Sequence, residues 1–509
     1  MSNKSILIAG GGIGGLAAAA GLAQKGFKSI VCEAAPKLGE IGAGIQLGPN
    51  AFHCFDYLGV GDTARANAVY IDSLRLMDAI TGKDIARIPL DKTFRKRMGN
   101  PYAVVHRADM HKALLDYCVN SQLIEVRTNH IAERYEQNGN NVRLYVKNES
   151  PIDGLALIGA EGLRSNIRQQ MIGDGEPNIS GHATYRSVIP TEQMPEELRW
   201  NAATLWAGPK CHIVHYPLKG WKVFNLVVTY HRDMKEAVAG RSVPKEEVLE
   251  GFEHIAPIAK QIIDHGDNWK LWVLCDRDPV DRWVDGRVTL LGDAAHPVLQ
   301  YLAQGACMAM EDAVCLASCF DHHRDDVESA LNKYQDRRIV RTTRIQVGSR
   351  LIGEYVYHPE GAVAAVRNQS MSDLSPEQWC DRLEWLYGKQ AFINDIIISL
   401  FHETSYLLMS NKIKYFETYE FCDHDELWKK YKDTTKNSLN IAKVLDDTLW
   451  EIDERYRKLK WNFFDDYHYA LKINYDQLYY YSELIYQIIN KHNPSEIWVA
   501  NSTKVKIRS

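Results

Sequence analysis

The sequence predicts an α/β fold in which a Rossmann-like domain carries an inserted β-sheet domain and is followed by an α-helical C-terminal extension. Up to Gly388, short β-branched segments alternate with helical stretches and glycine turns, which is typical of α/β construction. From Ser180 to Val280 strand patterns prevail, and they indicate a second sheet. All 34 glycines lie at or before Gly388, so the composition changes at that residue.

The composition indicates a globular protein of two or three domains. Its 509 residues are 45% hydrophobic and 25% charged, and the net charge of −5 gives no sign of a nucleic-acid partner. No apolar segment is long enough to span a membrane, and the first strand begins too early for a signal peptide. The ten cysteines contain no C-x-x-C pair, so we expect reduced thiols and a cytoplasmic protein. The sequence does not determine whether the protein is a monomer or a homodimer.

The first strand leads into a glycine-rich turn and then a helix. Gly10, Gly12 and Gly15 satisfy the G-x-G-x-x-G pattern of dinucleotide-binding turns. The first glycine permits the tight turn, the second lets a pyrophosphate approach the backbone, and the third lets the helix pack on the strand. Glu33 closes the next strand, where an acid can accept hydrogen bonds from ribose hydroxyls. The segment predicts an adenine dinucleotide site but does not distinguish NAD from FAD.

A second segment favours FAD. The predicted strand Val288–Leu291 ends in Gly292 and Asp293, two alanines follow, and a helix begins at Gly305. The acid can hydrogen-bond a ribityl chain, which NAD lacks. Backbone N–H groups of Gly305 and Ala306, at the positive end of a helix, can face negative charge on a flavin ring.

Four motifs occur in order along the first 388 residues. They are the glycine turn with Glu33, the helix start at His106–Leu114, the segment Gly159–Ser165, and the segment GDAAHP from Gly292. In this respect the chain resembles the group A flavoprotein aromatic hydroxylases. The resemblance implies that Arg107 contacts FAD. It also places Gln46 near the flavin, where related pyridine hydroxylases carry a histidine, and so disfavours pyridine substrates.

The resemblance further implies a site for a phenol ring. It assigns His212 as the base, Tyr216 as a residue that orients the substrate, and Gln300 as a residue that positions the ring. A neutral histidine near pH 7 suits deprotonation of a phenol. Alternation along a strand independently puts His212 and Tyr216 on one face and His215 on the other, where packing or the surface is expected. For the substrate carboxylate, Arg186 and Lys222 are candidates, although the surface is the expected location of both.

The reaction that the resemblance implies is hydroxylation of a small aromatic acid with NADH or NADPH and O2. The expected substrate is 3-hydroxybenzoate and the expected product is 2,5-dihydroxybenzoate (gentisate). Hydroxylation of salicylate is the main alternative. A non-catalytic flavin-binding protein, and an NAD-dependent dehydrogenase that uses only the first motif, also stay open.

One residue departs from the family pattern. The middle motif usually has aspartate where this chain has Glu161. In the family this acid lies where FAD meets the nicotinamide donor. The longer side chain either shifts that contact or is tolerated without effect.

The expected domains follow these motifs. The FAD-binding parts are about 1–70, 105–178 and 280–330, and the substrate sheet is about 71–104 and 180–279. Residues 389–509 form a separate extension with helical periodicity between 441 and 488 and a short strand at Ile497–Ala500. They are either an accessory domain or a join to an unrelated coding sequence, and the loss of glycine favours a foreign origin.

Overall fold

The computed structural model describes residues 4–39 and 44–388, and beyond these only four short strands, at Ile397–Ile398, Tyr415–Phe416, Ile497–Val499 and Thr503–Val505. The first unit of the chain is Met1–Lys389, and the description below concerns this unit. The predicted strand at Ile497–Ala500 is confirmed as Ile497–Val499. The helices predicted between 441 and 488 lie outside the described residues.

Short strands and longer helices alternate through the first unit. In chain order the strands are β1 (Ile6–Ala9), β2 (Ser29–Cys32), β3 (Gly44–Leu47), β4 (Val69–Tyr70), β5 (Ser73–Asp78), β6 (Asp84–Pro89), β7 (Ala103–His106), β8 (Ile124–Arg127), β9 (Ala132–Asn138), β10 (Asn141–Val146), β11 (Ile152–Gly154), β12 (Leu157–Gly159), β13 (Asn178–Pro190), β14 (Ala202–Gly208), β15 (Cys211–Leu218), β16 (Val223–His231), β17 (Ala239–Ser242), β18 (Lys270–Asp276), β19 (Val284–Asp285) and β20 (Val288–Leu290). The α-helices are α1 (Ile13–Gln24), α2 (Pro49–Tyr57), α3 (Gly61–Ala66), α4 (Lys92–Met98), α5 (Arg107–Asn120), α6 (Asn166–Met171), α7 (Lys245–Leu249), α8 (Pro257–His265), α9 (Gly305–His322), α10 (Val327–Ile352), α11 (Gly361–Ser372) and α12 (Pro376–Tyr387).

The first sheet is the predicted Rossmann-like sheet. Its order is β19–β20–β12–β1–β2–β8, and every pair except the edge pair β19–β20 is parallel. Every residue of β1 is buried, as in a strand covered on both faces. The alanine-rich helix α1 packs on α9, so the helices that follow the two predicted cofactor motifs lie side by side.

The second sheet is the predicted inserted sheet, in the order β17–β18–β13–β16–β15–β14–β5–β6. One face supplies Tyr185, Ile213, Leu226 and Val228 to a large buried apolar cluster. The residues that alternate with these point to the opposite face. That opposite face carries the candidate site.

Three strands form a separate antiparallel sheet, in the order β11–β10–β9. A tight turn that contains Gly139 at φ 57° joins β9 to β10, and this local hairpin pairs β10 with its neighbour in sequence. Among the described residues, no helix has both the length and the apolar character needed to cross a bilayer.

Candidate active site

One cavity extends from the glycine turn after β1, past the start of α9, to the second sheet. Most of the residues predicted from sequence line it, namely Gly12, Gln46, Arg107, His212, Tyr216, Gly292, Asp293, Gln300, Gly305 and Ala306. The structure therefore brings the predicted cofactor residues and the predicted phenol residues to one continuous space.

The glycines of the first turn have two different roles. Gly10 has φ 104°, and a Cβ at Gly15 would lie 1.9 Å from the Gly10 carbonyl oxygen, so both positions exclude a side chain for reasons of folding and packing. A Cβ at Gly12 would meet no described atom within 4 Å. Gly12 lines the cavity instead, where the backbone is open to the approach of a phosphate.

Glu33 does not line the cavity, but it holds the adjacent loop. Its carboxylate accepts hydrogen bonds from the backbone N–H groups of Gly11 (2.6 Å) and Ala35 (2.8 Å), one at each oxygen. A carboxylate oxygen accepts two hydrogen bonds, so each oxygen keeps one acceptor position for a ribose hydroxyl.

At the other end of the FAD site, Gly305 and Ala306 begin α9, an 18-residue helix whose first N–H groups have no partner within the helix. The Asp293 carboxylate faces the cavity, and a Cβ at Gly305 would lie 3.8 Å from its Oδ1. Burial in the surrounding protein raises the pKa of the Asp293 carboxyl, whereas His296 and Arg107 lower it. The phosphate turn, the ribose acid, the ribityl acid and the helix start fit FAD.

Two further predicted cofactor residues, Gln46 and Arg107, line the same cavity. Gln46 of β3 accepts a hydrogen bond from the Tyr102 hydroxyl at 2.8 Å, which fixes its carboxamide. Arg107 begins α5 and is exposed where it lines the cavity.

We expect Asp293→Ala to weaken FAD retention. The substitution removes a hydrogen bond to a charged group, which typically contributes about 1.5–3 kcal/mol, or roughly 10- to 100-fold in affinity. Titration of the apoprotein with FAD, followed by flavin fluorescence, measures the change. Asp281→Ala, at an exposed position ahead of β20, is the control. Equal FAD affinity in Asp293→Ala and the parent would show that the Asp293 carboxylate does not bind FAD.

Glu161, the residue that departs from the family pattern, forms its hydrogen bonds close to its own motif. Its neighbours Ala160 and Gly162 line the cavity, but its own side chain turns toward the start of α6. There the carboxylate accepts hydrogen bonds from the Ser165 hydroxyl (2.6 Å) and the Ile167 N–H (3.3 Å).

The pKa of Glu161 predicts a pH effect on stability. Burial raises this pKa to about 7, although the hydrogen bonds from Ser165 and the backbone lower it. The folded state therefore binds more protons than the unfolded state between the ordinary value of 4.5 and about 7, and stability falls as pH rises through that range. Glu161→Gln should remove this fall, as measured by thermal unfolding of the flavoprotein from pH 4.5 to 8. Glu176→Gln, at an exposed position, controls for the loss of one charge. Identical pH profiles for Glu161→Gln and the parent would contradict the expectation.

Three neighbouring strands supply the substrate end of the cavity. The central strand β16 pairs with β13, where Arg186 lies opposite Val227, and with β15, where His212 lies opposite Thr229. Because side chains alternate, this register puts Arg186, His212 and Tyr216 on the same face of the sheet. The expectation that His212 and Tyr216 share a face is confirmed.

The His212 imidazole is a buried group at the cavity wall. The side chain is 1% exposed, and its Nδ1 lies 2.7 Å from Nε2 of His358. Its Nε2 has no hydrogen-bond partner in the described part of the chain. Burial, and then the nearby His182 and His231, lower the pKa of His212 well below its usual range, so the ring is neutral at pH 7. Nε2 can therefore accept a proton from a phenol in the cavity.

The other predicted phenol residues are fixed by packing and hydrogen bonds. Tyr216 is buried, and a Cβ at Gly44 would lie 2.5 Å from its ring, so the glycine of β3 permits this close approach. Gln300 donates to the Thr229 hydroxyl (3.3 Å) and accepts from Arg186 Nη2 (3.2 Å). His215 is buried beside Trp206 on the opposite face, as expected.

Arg186 corrects the expectation of a surface position. It lines the cavity, and within the described residues it forms no ion pair with a carboxylate. Burial lowers the pKa of its guanidinium, but arginine stays protonated at neutral pH. Lys222, the other candidate for the substrate carboxylate, is exposed, as predicted.

Sequence reasoning missed two aromatic residues beyond α10. Tyr357 lines the cavity with its ring edge-on to His212, at 4.9 Å between centroids. His358 follows it and contacts His212 from behind. A single histidine in a helical region gives no signal in sequence, so only the fold reveals the pair.

The fold and cavity define a flavoprotein that holds a small molecule beside its cofactor. A family model described as an FAD binding domain matches residues 3–347. A 3-hydroxybenzoate 6-hydroxylase from Aquipseudomonas alcaligenes is 55% identical over 389 residues, which cover 76% of this chain and 98% of that protein. The 3-hydroxybenzoate 6-hydroxylase of Polaromonas naphthalenivorans is 49% identical over 383 residues, 75% of this chain and 95% of that protein.

Solved structures share the fold. A salicylate hydroxylase substrate complex has a TM-score of 0.65 and 23% identity, over 76% of this chain and 95% of that chain. Klebsiella pneumoniae HpxO complexed with FAD and uric acid has a TM-score of 0.68 and 24% identity, over 75% of this chain and 96% of that chain. The chain belongs to the FAD-dependent aromatic hydroxylases.

Proposed function

We propose that this protein hydroxylates 3-hydroxybenzoate to 2,5-dihydroxybenzoate (gentisate), with NADH as electron donor and O2 as oxidant. The observation that carries the proposal is the pairing, on one cavity wall, of an unpartnered imidazole nitrogen with a cation that has no carboxylate partner among the described residues. His212 Nε2 suits a phenol hydroxyl, and Arg186 suits a carboxylate. A hydroxybenzoate carries both groups on one ring. The names of the relatives above support the 3-hydroxy isomer.

The residues of the chain prepare the aromatic ring for attack. FAD, when bound and reduced, supplies the oxygen-activating chemistry. His212 removes the phenol proton, which makes the ring more nucleophilic. Arg186 attracts the carboxylate, and Gln300, held by Arg186 and Thr229, borders the ring. The walls formed by Tyr216, which is buried, and Tyr357, which is partly buried, limit the access of water to the reacting ring.

The test is aerobic NADH oxidation with a panel of ring compounds and identification of the products by chromatography. The panel comprises 3-hydroxybenzoate, salicylate, 4-hydroxybenzoate, benzoate and 3-methylphenol. We expect gentisate from 3-hydroxybenzoate and poor turnover of benzoate, which lacks the phenol, and of 3-methylphenol, which lacks the carboxylate. Catechol from salicylate at a higher rate would replace this proposal with the salicylate alternative. NADH oxidation without a hydroxylated product from any compound would overturn it. NADPH in place of NADH tests the choice of donor.

We also propose that this activity resides in residues 1–388, divided as the motifs indicate into FAD-binding parts (about 1–70, 105–178 and 280–330) and a substrate sheet (about 71–104 and 180–279). The support is that every described residue that lines the cavity precedes Gly388. The two relatives above also align with about three quarters of this chain while being covered almost entirely. Residues 389–509 are then an added segment.

A further inference from the structure

The structure places a row of imidazoles behind the base. His212 Nδ1 lies 2.7 Å from His358 Nε2, and His358 Nδ1 lies 3.2 Å from His231 Nε2. These rings come from β15, from the segment that follows α10, and from the end of β16. His212 and His358 are buried, whereas His231 is partly exposed beside the exposed Lys210 and Asp233. The row therefore runs from the cavity wall toward the surface.

We propose that the phenol proton accepted by His212 leaves the buried cavity through His358 and His231 to the solvent. This inference rests on the proposed function, because it requires a phenolic substrate. It adds His358 and His231 as positioning and proton-transfer residues behind the base.

Two sets of tautomers satisfy both contacts in the row, one with a proton on each Nδ1 and one with a proton on each Nε2. With a proton on each Nδ1, His212 donates to His358, His358 donates to His231, and each Nε2 accepts. In this arrangement the free acceptor of the row is His212 Nε2, which has no partner in the described residues and belongs to a side chain that lines the cavity. The free donor is His231 Nδ1, at the partly exposed end.

The transfer balances without any further reactant. The phenol O–H bond breaks as an N–H bond forms at His212 Nε2, and the Nδ1 proton of His212 passes to His358 Nε2. The Nδ1 proton of His358 passes to His231 Nε2, and the Nδ1 proton of His231 passes to water. The same transfers in reverse bring a proton to the phenolate oxygen of the product and restore the starting tautomers.

The environment of the rings explains why the proton has to leave. Burial lowers the pKa of both His212 and His358, and the neighbouring imidazoles lower both further. A buried imidazolium is therefore unfavourable at either position, so His212 can accept a proton but not hold it. Onward transfer keeps every buried ring neutral at the end of the step. The Tyr301 and Tyr357 rings pack edge-on against His212, and burial raises the pKa of both phenols, so neither supplies an ion that would hold the charge.

The experiment measures proton release directly. The oxidised flavoprotein, without NADH, is mixed with 3-hydroxybenzoate in weak buffer that contains a pH indicator, and proton release is followed by stopped flow. We expect rapid release from the parent and release that is about tenfold slower or more from His358→Gln, because glutamine fills the position but cannot accept and pass on a proton. His231→Gln, at the outer end, should slow release as well. Free imidazole should restore the rate in His358→Ala and leave the parent unchanged.

His182→Gln is the matched control. His182 stacks on His231 at 3.8 Å between ring centroids, but its Nδ1 bonds the Tyr301 hydroxyl, outside the row of imidazole nitrogens. It should release protons as fast as the parent. FAD content and the dissociation constant for 3-hydroxybenzoate, measured in every variant, separate a loss of proton transfer from a loss of structure.

The outcomes separate this inference from the proposed function. If the parent releases a proton and His358→Gln releases it at the same rate, the relay is overturned and the hydroxylase proposal stays intact. Slow release from His182→Gln as well as from His358→Gln, without rescue of His358→Ala by imidazole, also overturns it. A parent that forms gentisate but releases no proton on binding 3-hydroxybenzoate overturns the relay alone, and a parent that forms no hydroxylated product overturns both.

Discussion

Replacing His212 with alanine should reduce the rate of hydroxylation by about 10²–10⁴-fold, the usual contribution of a general base. FAD should stay bound, because His212 lies on β15 of the second sheet, whereas the glycine turn and Asp293 follow β1 and β20 of the first sheet. The variant should still consume NADH, with oxygen diverted to hydrogen peroxide. Raising the pH should recover part of the product, since the phenol then ionises without a base.

The measurement is the ratio of gentisate formed to NADH consumed, at neutral and at alkaline pH. His215→Phe is the matched control, because His215 lies on the same strand but faces Trp206 and Phe224 on the buried side. That variant should keep the parent ratio even if its stability changes. A His212→Ala ratio equal to the parent at both pH values would remove His212 from the mechanism.

Replacing Arg338 with methionine should destabilise the protein by about 3–5 kcal/mol, the typical effect of removing one partner of a buried ion pair. Arg338 is 2% exposed and donates at 2.7 Å to both Glu311 and Asp312, which are completely buried. Methionine fills much of the space but leaves two buried carboxylates short of a cation. Burial by itself would raise the pKa of Asp312, and His296 and Arg338 lower it below the ordinary value. Loss of Arg338 therefore raises that pKa.

The destabilisation should be smaller in acid, where a carboxyl with a raised pKa is protonated in the folded state. FAD retention should fall as well, because Asp312 accepts from the backbone N–H of Gly292 (3.0 Å) and from His296 (2.6 Å) and so fixes the turn beside the flavin. Thermal unfolding at pH 5 and pH 8, with flavin fluorescence as a second signal, tests both points. Arg344→Met is the control on the same helix, where an exposed arginine stacks on Trp385. If Arg338→Met and Arg344→Met unfold alike, the buried network does not stabilise the fold.

The cofactor end was predictable because its signals are local. The strand, glycine turn and helix around Gly12 are contiguous in sequence, and so are β20, Asp293 and the start of α9 at Gly305. Backbone N–H groups at a helix start bind phosphate whatever the distant side chains are. The shared face of His212 and Tyr216 was predictable for the same reason, since alternation is a property of one strand.

Side-chain direction was less predictable even within a motif. The motif Gly159–Ser165 does not specify that the Glu161 carboxylate accepts hydrogen bonds from the Ser165 hydroxyl and from the Ile167 N–H at the start of α6. A hydrophobicity pattern does not determine which hydrogen-bond partner a carboxylate meets.

The sequence by itself determined the α/β class, the FAD site and the strand face that carries His212 and Tyr216. Only the tertiary structure decided which distant residues lie beside His212 and Tyr216. Strand register across β16 brings Arg186 to the same cavity wall, and the end of α10 brings Tyr357 and His358 to His212 from about 145 residues away. The physical reason is that neighbouring residues determine the local backbone geometry. The pairing of distant strands depends instead on burying their apolar faces together.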